Sequence, residues 1–231
     1  MTLLRNFALL FVAALTASAG PASGAPAKID WTRVTTQSAI GGNILGNPAA
    51  PTRLVEYVSY TCGHCAHFVG EATQPLKDGW VRSGQVSIEI RNLFRDRYDF
   101  TAAMLARCGG KVRFMGNHEA LFANQNDWMT KIEAYEVAPS TLAADAAPQI
   151  VIQDIADKTG LNALMMKRGY TAAQLHQCLI DPKAFAAIAA MTKYALEQVH
   201  ATGTPTFVIN DKVTDAHTWS DLKPLLPANR N

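Results

Sequence analysis

The chain has 231 residues, of which 48% are hydrophobic and 17% charged, and its formal net charge is +2. This length and composition suit one compact domain, or one domain carrying a sizeable insertion. The densest basic stretch, residues 91–97, is diluted by Asp96 and Asp99 and is interpreted as the solvated end of a strand. The composition therefore excludes a polybasic surface, and no nucleic-acid partner is expected.

The first 19 residues have the features of a secretory signal peptide. Arg5 supplies a positive charge, an apolar stretch begins at Phe7, and the segment ends in an Ala-Ser-Ala cleavage sequence. The apolar stretch, about a dozen residues, is shorter than the roughly 20 that a membrane-spanning helix needs. Cleavage a few residues later and an uncleaved anchor are the open alternatives. Export would bring the mature protein to a compartment where disulfides form and persist.

After a lead-in over residues 20–39, which is expected to be flexible, the pattern predicts a strand, a helix and a second strand. Residues 53–60 are β-branched and aromatic, which is typical of a buried strand. A helix is predicted to begin at Cys62, directly after this strand. Residues 86–93 alternate apolar and polar side chains, as strands do. These three elements predict a βαβ unit.

From residue 99 to about residue 200 the chain is predicted to be helical. Ala-rich stretches are ended by glycines, and a capping box at Thr171 and an Asp-Pro pair at Asp181 mark helix starts. Residues 131–148 are the weakest part of this block and are interpreted as a loop or a broken helix. The predicted helices are 101–107, 119–124, 149–159, 171–180 and 182–200.

The C-terminal part returns to strand patterns. Residues 206–210 are apolar and β-branched, and a turn at Asp211 leads into a short strand. Residues 219–226 are predicted to form a terminal helix with Ser220 near its cap. The order βαβ, helical block, β-hairpin and helix predicts an α/β fold interrupted by an all-helical inserted domain.

Cys62-Gly63-His64-Cys65 is the strongest functional signal, and its spacing predicts a redox-active pair. Only a thiolate attacks a disulfide sulfur, and a free cysteine with a pKa of about 8.5 is mostly protonated at neutral pH. At a helix N-terminus, unsatisfied N–H groups and the helix dipole stabilise the thiolate of Cys62. Cys65, one turn later, can close the disulfide. Gly63 lets a substrate backbone approach, and His64 can place positive charge beside the thiolate.

Two other interpretations of this cysteine pair are weighed. With His67 nearby it could form half of a zinc site, but a structural zinc site needs two more ligands, and Cys108 and Cys178 show no metal spacing. A purely structural Cys62–Cys65 bridge would close so short a loop that it would stabilise little. The sequence favours a redox centre without a metal.

Thr204-Pro205 is the second functional signal, because it directly precedes a predicted buried strand. Proline cannot donate a ladder hydrogen bond, so it belongs at the first residue of a strand. Two interpretations stay open from the residues alone. The proline either marks the start of an ordinary strand or belongs to a cis-proline loop that faces the cysteines.

The strand before the two cysteines, the helical insertion, and Thr204-Pro205 before a late strand together resemble the DsbA-type periplasmic thiol:disulfide oxidoreductases of the thioredoxin superfamily. The resemblance covers residues 40–226. It implies that Cys62 is the exposed nucleophile and Cys65 the buried resolving thiol. It also implies that Pro205 is cis, that Thr204 flanks the cysteines, and that the backbone of both residues pairs with the substrate chain.

The resemblance further implies a thioredoxin fold divided by its insertion, with residues 40–98 and 186–231 forming the fold and residues 99–185 the helical insertion. It implies a periplasmic protein that acts on reduced or unfolded secreted proteins and is reoxidised by a quinone-linked membrane partner of the DsbB type. No organic cofactor and no metal are expected. The chain departs from the family at Gly63-His64, where Pro-His is usual, so the resemblance does not determine the redox potential.

Glu56, in the strand before Cys62, matches a buried acid that assists proton transfer in relatives. Considered without the family, an acid within an apolar strand should have its pKa raised by burial. The alternative is a glutamate on an edge strand that faces solvent.

Cys108 and Cys178 each lie alone in a predicted helix, and a disulfide between them is expected. It would close a loop of about 70 residues and stabilise by roughly 4 kcal/mol in the chain-entropy model. Two free buried thiols and a second redox pair are the alternatives. His118 and His217 lie in no motif and are interpreted as surface or cap residues.

Two other functions are weighed against that of a disulfide donor. An isomerase or reductase could use the same fold, but DsbC- and DsbG-like isomerases carry an N-terminal dimerisation domain, for which the residues before Arg53 are too few. A monomeric oxidase is therefore expected. A non-catalytic metallochaperone would usually need a differently spaced cysteine pair and a dedicated His or Met ligand.

Overall fold

The structure is a computed structural model that describes residues 29–138 and 141–229. The predicted signal peptide, residues 1–19, and the first part of the predicted lead-in lie outside the described residues. None of the helices in the described part is long and apolar enough to cross a membrane.

Six strands form one sheet in the order β1-β2-β4-β3-β5-β6. The central pair, β3 and β4, is parallel, and every other neighbouring pair is antiparallel. A helix connects β3 to β4, and β5 and β6 form a hairpin, so the predicted βαβ unit and β-hairpin are confirmed. The strands are β1 Thr35–Gln37, β2 Asn43–Leu45, β3 Thr52–Val58, β4 Val86–Asn92, β5 Thr206–Ile209 and β6 Lys212–Val213.

Nine α-helices accompany the sheet in the described part of the chain. The first follows β3, the next six form a continuous helical block between β4 and the eighth helix, and the last follows the hairpin. This arrangement confirms the predicted α/β fold with a helical insertion. The helices are α1 Gly63–Leu76, α2 Arg97–Ala106, α3 Gly110–Ala123, α4 Gln125–Val137, α5 Pro148–Lys158, α6 Leu161–Lys167, α7 Ala172–Leu179, α8 Pro182–Glu197 and α9 Trp219–Leu222.

Both faces of β3 are covered, which explains its nearly continuous apolar sequence. Leu54 and Val58 point into the main core, which they share with α1 and the helical insertion. Val55 and Tyr57 point to the opposite face, where they pack with Ala195 of α8. The strand therefore lies in the middle of the molecule, and the loop that follows it leads to the first turn of α1.

Several elements differ from the predictions. The strands β1 and β2 were not predicted, because three residues are too few to show an alternating pattern. The stretch 131–148 contains the end of α4, a helix whose apolar face is small but buries Trp128 and Ile132. The terminal helix is capped by Thr218 through a capping box and not by Ser220.

A disulfide joins Cys108, just after α2, to Cys178 in α7, with a sequence separation of 70 and a Cα–Cα distance of 5.4 Å. Cys108 is 2% exposed. The bond therefore holds two helices of the insertion together and leaves Cys62 and Cys65 as the free cysteines of the described chain.

Candidate active site

Cys62 is the N-cap residue of α1, with extended backbone angles (φ −90°, ψ 117°). Its carbonyl oxygen accepts the first helical hydrogen bond, from the N–H of Ala66 at 3.1 Å. Its sulfur makes no capping hydrogen bond, but the N–H groups of His64 and Cys65 in the first turn of α1 help to lower the pKa of its thiol. The sequence predicted this arrangement from the strand that ends directly before Cys62.

The pKa values of the two cysteines are shifted in opposite directions. The pKa of Cys62 is lowered to about 4, chiefly because the Cys65 thiol donates a hydrogen bond to its sulfur. Burial opposes this effect, while the backbone N–H groups of Cys65 and His64 add to it. The pKa of Cys65 is raised, because burial disfavours its thiolate and because its proton is held by Cys62. Cys62 is thus the thiolate of the pair, and Cys65 keeps its proton.

The exposed part of the motif is the dipeptide between the cysteines. Gly63 and His64 are exposed, whereas Cys62 is 5% and Cys65 0% exposed. The exposure of Cys62 that the resemblance implies is therefore small in this structure. A Cβ at Gly63 would meet nothing within 4 Å, so the surface beside Cys62 is open to an approaching chain.

The cover over Cys62 is the loop that contains Thr204 and Pro205. Their peptide bond is cis, and the carbonyl oxygen of Thr204 lies 3.1 Å from the Sγ of Cys62. Of the two interpretations that the sequence left open, the structure has the loop that faces the cysteines. The Thr204 hydroxyl is buried and has no hydrogen-bond partner among the described residues.

Glu56 is 3% exposed and lies in the central strand β3, between β4 and β5, so it is not an edge-strand residue facing solvent. It is on the same face as Leu54 and Val58, towards α1. A small cavity beside it is lined by Thr73 of α1 and His118 of α3, among others. Burial raises the pKa of Glu56 to about 8.

The interpretation of His118 as a surface or cap residue is wrong. His118 is 2% exposed, and its Nδ1 shares a hydrogen bond of 3.1 Å with the hydroxyl of Tyr60. Burial and the nearby charge of Lys77 lower its pKa to about 3. Its spacing on α3 relative to Phe114 and Phe122, with which its ring is in contact, is the signal that marks it as a core residue.

His217 is exposed, as predicted, but it has a contact that no motif indicated. Its Nδ1 lies 3.3 Å from the carbonyl oxygen of Pro205, on the loop that faces the cysteines. Within residues 29–138 and 141–229, no group of three or more His, Cys, Asp or Glu side chains could hold a metal ion.

Two buried side chains of the helical insertion also reach the loop before Cys62. Asp99 and Gln125 hydrogen-bond to its backbone, and neither was predicted. They are far along the chain from Cys62, and each lies in a helix whose polar positions look like ordinary solvent-facing residues. No local pattern could have identified them.

The comparisons with known proteins agree with this fold and site. A family model described as thioredoxin matches residues 38–228. The chain belongs to the thioredoxin family. Its helical insertion gives it the DsbA-type form of the fold, which is also the fold of alpha-DsbA1 from Wolbachia pipientis (TM-score 0.59, 23% identity, covering 78% of this chain and 82% of that chain).

A protein-disulfide isomerase from Novosphingobium aromaticivorans is similar in structure and sequence, with a TM-score of 0.71 and 36% identity over 79% of this chain and 93% of that one. A Rickettsia bellii protein with the provisional name protein-disulfide oxidoreductase is 25% identical over 180 residues, which are 78% of this chain and 61% of the relative. A Rickettsia prowazekii protein of the same provisional name is 26% identical over 192 residues, or 83% and 62%. The chain thus spans about three fifths of the length of these curated relatives.

Proposed function

We propose that this protein is a thiol:disulfide oxidoreductase that donates a Cys62–Cys65 disulfide to client proteins through a mixed disulfide on Cys62. The observation that carries the proposal is the position of Cys62 at the N-cap of α1, one turn before the buried Cys65 and 3.1 Å from the carbonyl oxygen of Thr204, with its pKa lowered to about 4. A stabilised thiolate is a good leaving group, so a disulfide that contains Cys62 is readily given away.

The reaction consists of two exchanges. A client thiolate attacks the Sγ of Cys62, the Cys62–Cys65 bond breaks, and Cys65 leaves as a thiolate and takes up a proton. A second client thiolate then attacks the client sulfur of the mixed disulfide, and Cys62 leaves as a thiolate. The client is oxidised by two electrons, which the reduced cysteine pair keeps. Of the two protons released, one stays on Cys65 and the other goes to solvent.

Glu56 is proposed to supply or accept the proton of Cys65. It lies on the sheet face that packs against α1, and a carboxyl with a pKa of about 8 can carry a proton near neutral pH. Thr204 and Pro205 are proposed to hold the client. Because the Thr204 carbonyl lies 3.1 Å from the Sγ of Cys62, a client cysteine joined to that sulfur must bring its own backbone close to this loop.

Isomerase or reductase activity on the same site is the second candidate. The Novosphingobium aromaticivorans protein, to which this chain is 36% identical, is named a protein-disulfide isomerase. An isomerase attacks wrong disulfides with the reduced Cys62 thiolate, so it also needs a lowered pKa at this cysteine. The site chemistry is common to both, and the direction depends on the reduction potential.

The proposed compartment is the periplasm, and the proposed clients are reduced secreted proteins. The predicted signal peptide and the Cys108–Cys178 disulfide support a location where thiols are oxidised. A quinone-linked membrane partner of the DsbB type is proposed for reoxidation, and a monomer is proposed as the working form. These proposals rest on the family resemblance.

The reduction potential of Cys62–Cys65, measured in glutathione buffers, tests the direction. We expect a value near the −120 mV that marks a strong oxidant, since the reduced form has a stabilised thiolate. A value near −270 mV would indicate a reductant, and an intermediate one near −180 mV an isomerase.

A client assay gives the second test. The oxidised protein should transfer its disulfide to a reduced two-cysteine peptide in stoichiometric amount, and Cys62→Ser should abolish transfer. Cys65→Ser, incubated instead with the oxidised form of the same peptide, should accumulate a mixed disulfide, because the Cys62 thiolate attacks the peptide disulfide and no Cys65 thiol is present to release it. Failure of Cys65→Ser to accumulate any adduct would contradict Cys62 as the attacking and accepting residue.

A further inference from the structure

The loop that precedes Cys62 is held by a side chain from the helical insertion. Gln125, the first residue of α4, is 6% exposed. Its Nε2 donates to the carbonyl oxygen of Tyr60 at 2.7 Å and to that of Cys62 at 3.0 Å. One amide group thus binds two carbonyls on either side of Thr61.

The same loop has further contacts with the insertion and with Arg95, which lies just before it. Asp99, which is fully buried, accepts from the N–H of Tyr60 at 2.6 Å and from the N–H of Arg95 at 3.0 Å. The Arg95 guanidinium donates to the hydroxyls of Ser59 and Thr61 at 3.0 and 3.1 Å. Both the N–H and the C=O of Tyr60 are therefore bonded to side chains of the insertion.

The bond from Gln125 to Cys62 is made at the atom that begins α1. The carbonyl oxygen of Cys62 accepts from Gln125 and from the N–H of Ala66. Fixing this carbonyl fixes the orientation of the peptide plane that follows Cys62. That plane determines where the Sγ stands relative to the N–H groups of His64 and Cys65, which stabilise its thiolate.

We propose that Gln125 is a positioning residue that holds the carbonyl of Cys62, and with it the sulfur, in the N-cap orientation at the start of α1. This inference deepens the proposed function and rests on it, because it concerns the thiolate that the exchange reaction uses. It assigns a catalytic consequence to the helical insertion, which otherwise contributes no reacting atom.

A purely structural role for Gln125 is the alternative. Buried carbonyl oxygens need partners, and a glutamine that supplies two of them stabilises the fold whether or not the thiolate depends on it. The two roles differ in one readout. Loss of a structural bond lowers the free energy of unfolding and leaves the acidity of Cys62 unchanged, whereas loss of positioning also raises the pKa of Cys62.

The test is Gln125→Met, which keeps the length of the side chain and removes its donor. The thiolate absorbance of Cys62 is titrated in the full reduced protein, and urea unfolding is measured alongside. We expect the midpoint to rise by about one pH unit, the equivalent of one weakened charge-assisted hydrogen bond. The rate of alkylation at a pH near the wild-type midpoint should fall in proportion.

Gln174→Met is the matched control. The side chain of Gln174 closes the capping box of α7 and so has a structural role within the insertion. This variant should lower stability and leave the midpoint of Cys62 unchanged. If Gln125→Met does not fold, Gln125→Asn retains the amide but is too short to bind both carbonyls, and the same rise in midpoint is expected.

The outcomes separate the two proposals. A low wild-type midpoint that stays the same in the folded Gln125 variant overturns the positioning role and leaves the proposed function intact. A wild-type midpoint near 8.5 overturns both, because there is then no lowered pKa for Gln125 to maintain. A midpoint that rises in Gln174→Met as much as in Gln125→Met also overturns the positioning role, since a general loss of stability in the helical insertion would then explain the rise.

Discussion

Cys62 and Cys65 have the same side chain, and their surroundings give them different roles. Cys62 is the N-cap residue of α1, where the Cys65 thiol and the N–H groups of the first turn lower the pKa of its thiol. Cys65 lies inside the helix and is fully buried, so its neutral form is favoured. The two thiols therefore differ in acidity although they lie in one helical turn.

The first prediction concerns the hydrogen bond between these two thiols. Cys65→Ala should raise the titration midpoint of Cys62 from about 4, because the Cys65 thiol is the largest contributor to the lowered pKa. Cys65→Ser keeps a donor in the same place and should leave the midpoint low. Thiolate absorbance against pH measures both variants. Equal midpoints in the alanine and serine variants would show that the thiol donor is unimportant.

The second prediction concerns Glu56 and the dependence of stability on pH. Its pKa is about 8 in the folded protein and 4.5 as its ordinary value, so the folded state binds the proton more tightly. The contribution of Glu56 to the free energy of unfolding is fully present below about pH 4.5 and is lost as the pH rises through 8. The total loss is on the order of 5 kcal/mol.

The measurement is urea unfolding from pH 5 to 9 in the oxidised protein, where Cys62 and Cys65 do not titrate. Wild type should lose stability as the pH rises, and Glu56→Gln should lose much less. Asp99, whose pKa burial raises to about 7, remains in both proteins and gives a shared background slope. Parallel curves for the two proteins would contradict a buried, protonated Glu56.

At the scale of elements, the site is the meeting point of β3, α1 and the loop before β5. The strand β3 ends beneath α1, and β5 pairs with β3, so the residues just before β5 are brought to the N-terminus of α1. The helical insertion approaches the same loop from the other side through α2 and α4. The loop before β5 approaches the sulfur of Cys62 through the Thr204 carbonyl, and α2 and α4 bind the backbone of residues 60–62.

The third prediction concerns the disulfide between α2 and α7. Replacing Cys108 and Cys178 by alanine should lower the free energy of unfolding by roughly 4 kcal/mol, because the bond closes a long loop in the unfolded chain. Disulfide donation by Cys62 should be retained under conditions where the variant is folded. Urea unfolding measures the first effect and peptide oxidation the second. A loss of donation in the folded variant would point to a redox role for this pair.

At the scale of the whole molecule, folding and redox chemistry are linked. The folded protein stabilises the Cys62 thiolate, and only the reduced form has a thiolate to stabilise. Folding therefore favours the reduced state, and by the same thermodynamic cycle reduction should stabilise the fold. In the proposed direction of transfer, the protein becomes more stable as it gives its disulfide to a client.

The fourth prediction is that the reduced protein is more stable than the oxidised one. Urea unfolding of both forms measures the difference in the free energy of unfolding. This difference should equal the gap between the reduction potential of the folded protein and that of the unfolded chain, at about 1.4 kcal/mol for every 30 mV. The Cys62→Ser/Cys65→Ser variant, which has no redox pair, should show the same stability with and without reductant, provided Cys108–Cys178 stays closed. A more stable oxidised form would favour reductase activity.

The parts of this protein that the sequence determined are those that depend on near neighbours in the chain. The strand before Cys62, the helix that begins there and the capping box at Thr171 all follow from local periodicity and hydrogen bonding. The spacing of the two cysteines predicted the redox centre for the same reason, since both lie in one helical turn.

Tertiary structure decided the contacts between residues far apart in the chain. Thr204 meets Cys62 across a sequence separation of 142, and Gln125 reaches it across 63. Glu56 is a central-strand acid because of the strands that pair on either side of it. Such placements depend on the burial of whole faces of helices and strands, which no short stretch of sequence encodes. The redox pair could be predicted from the sequence, whereas the distant residues around it could be identified only from the tertiary structure.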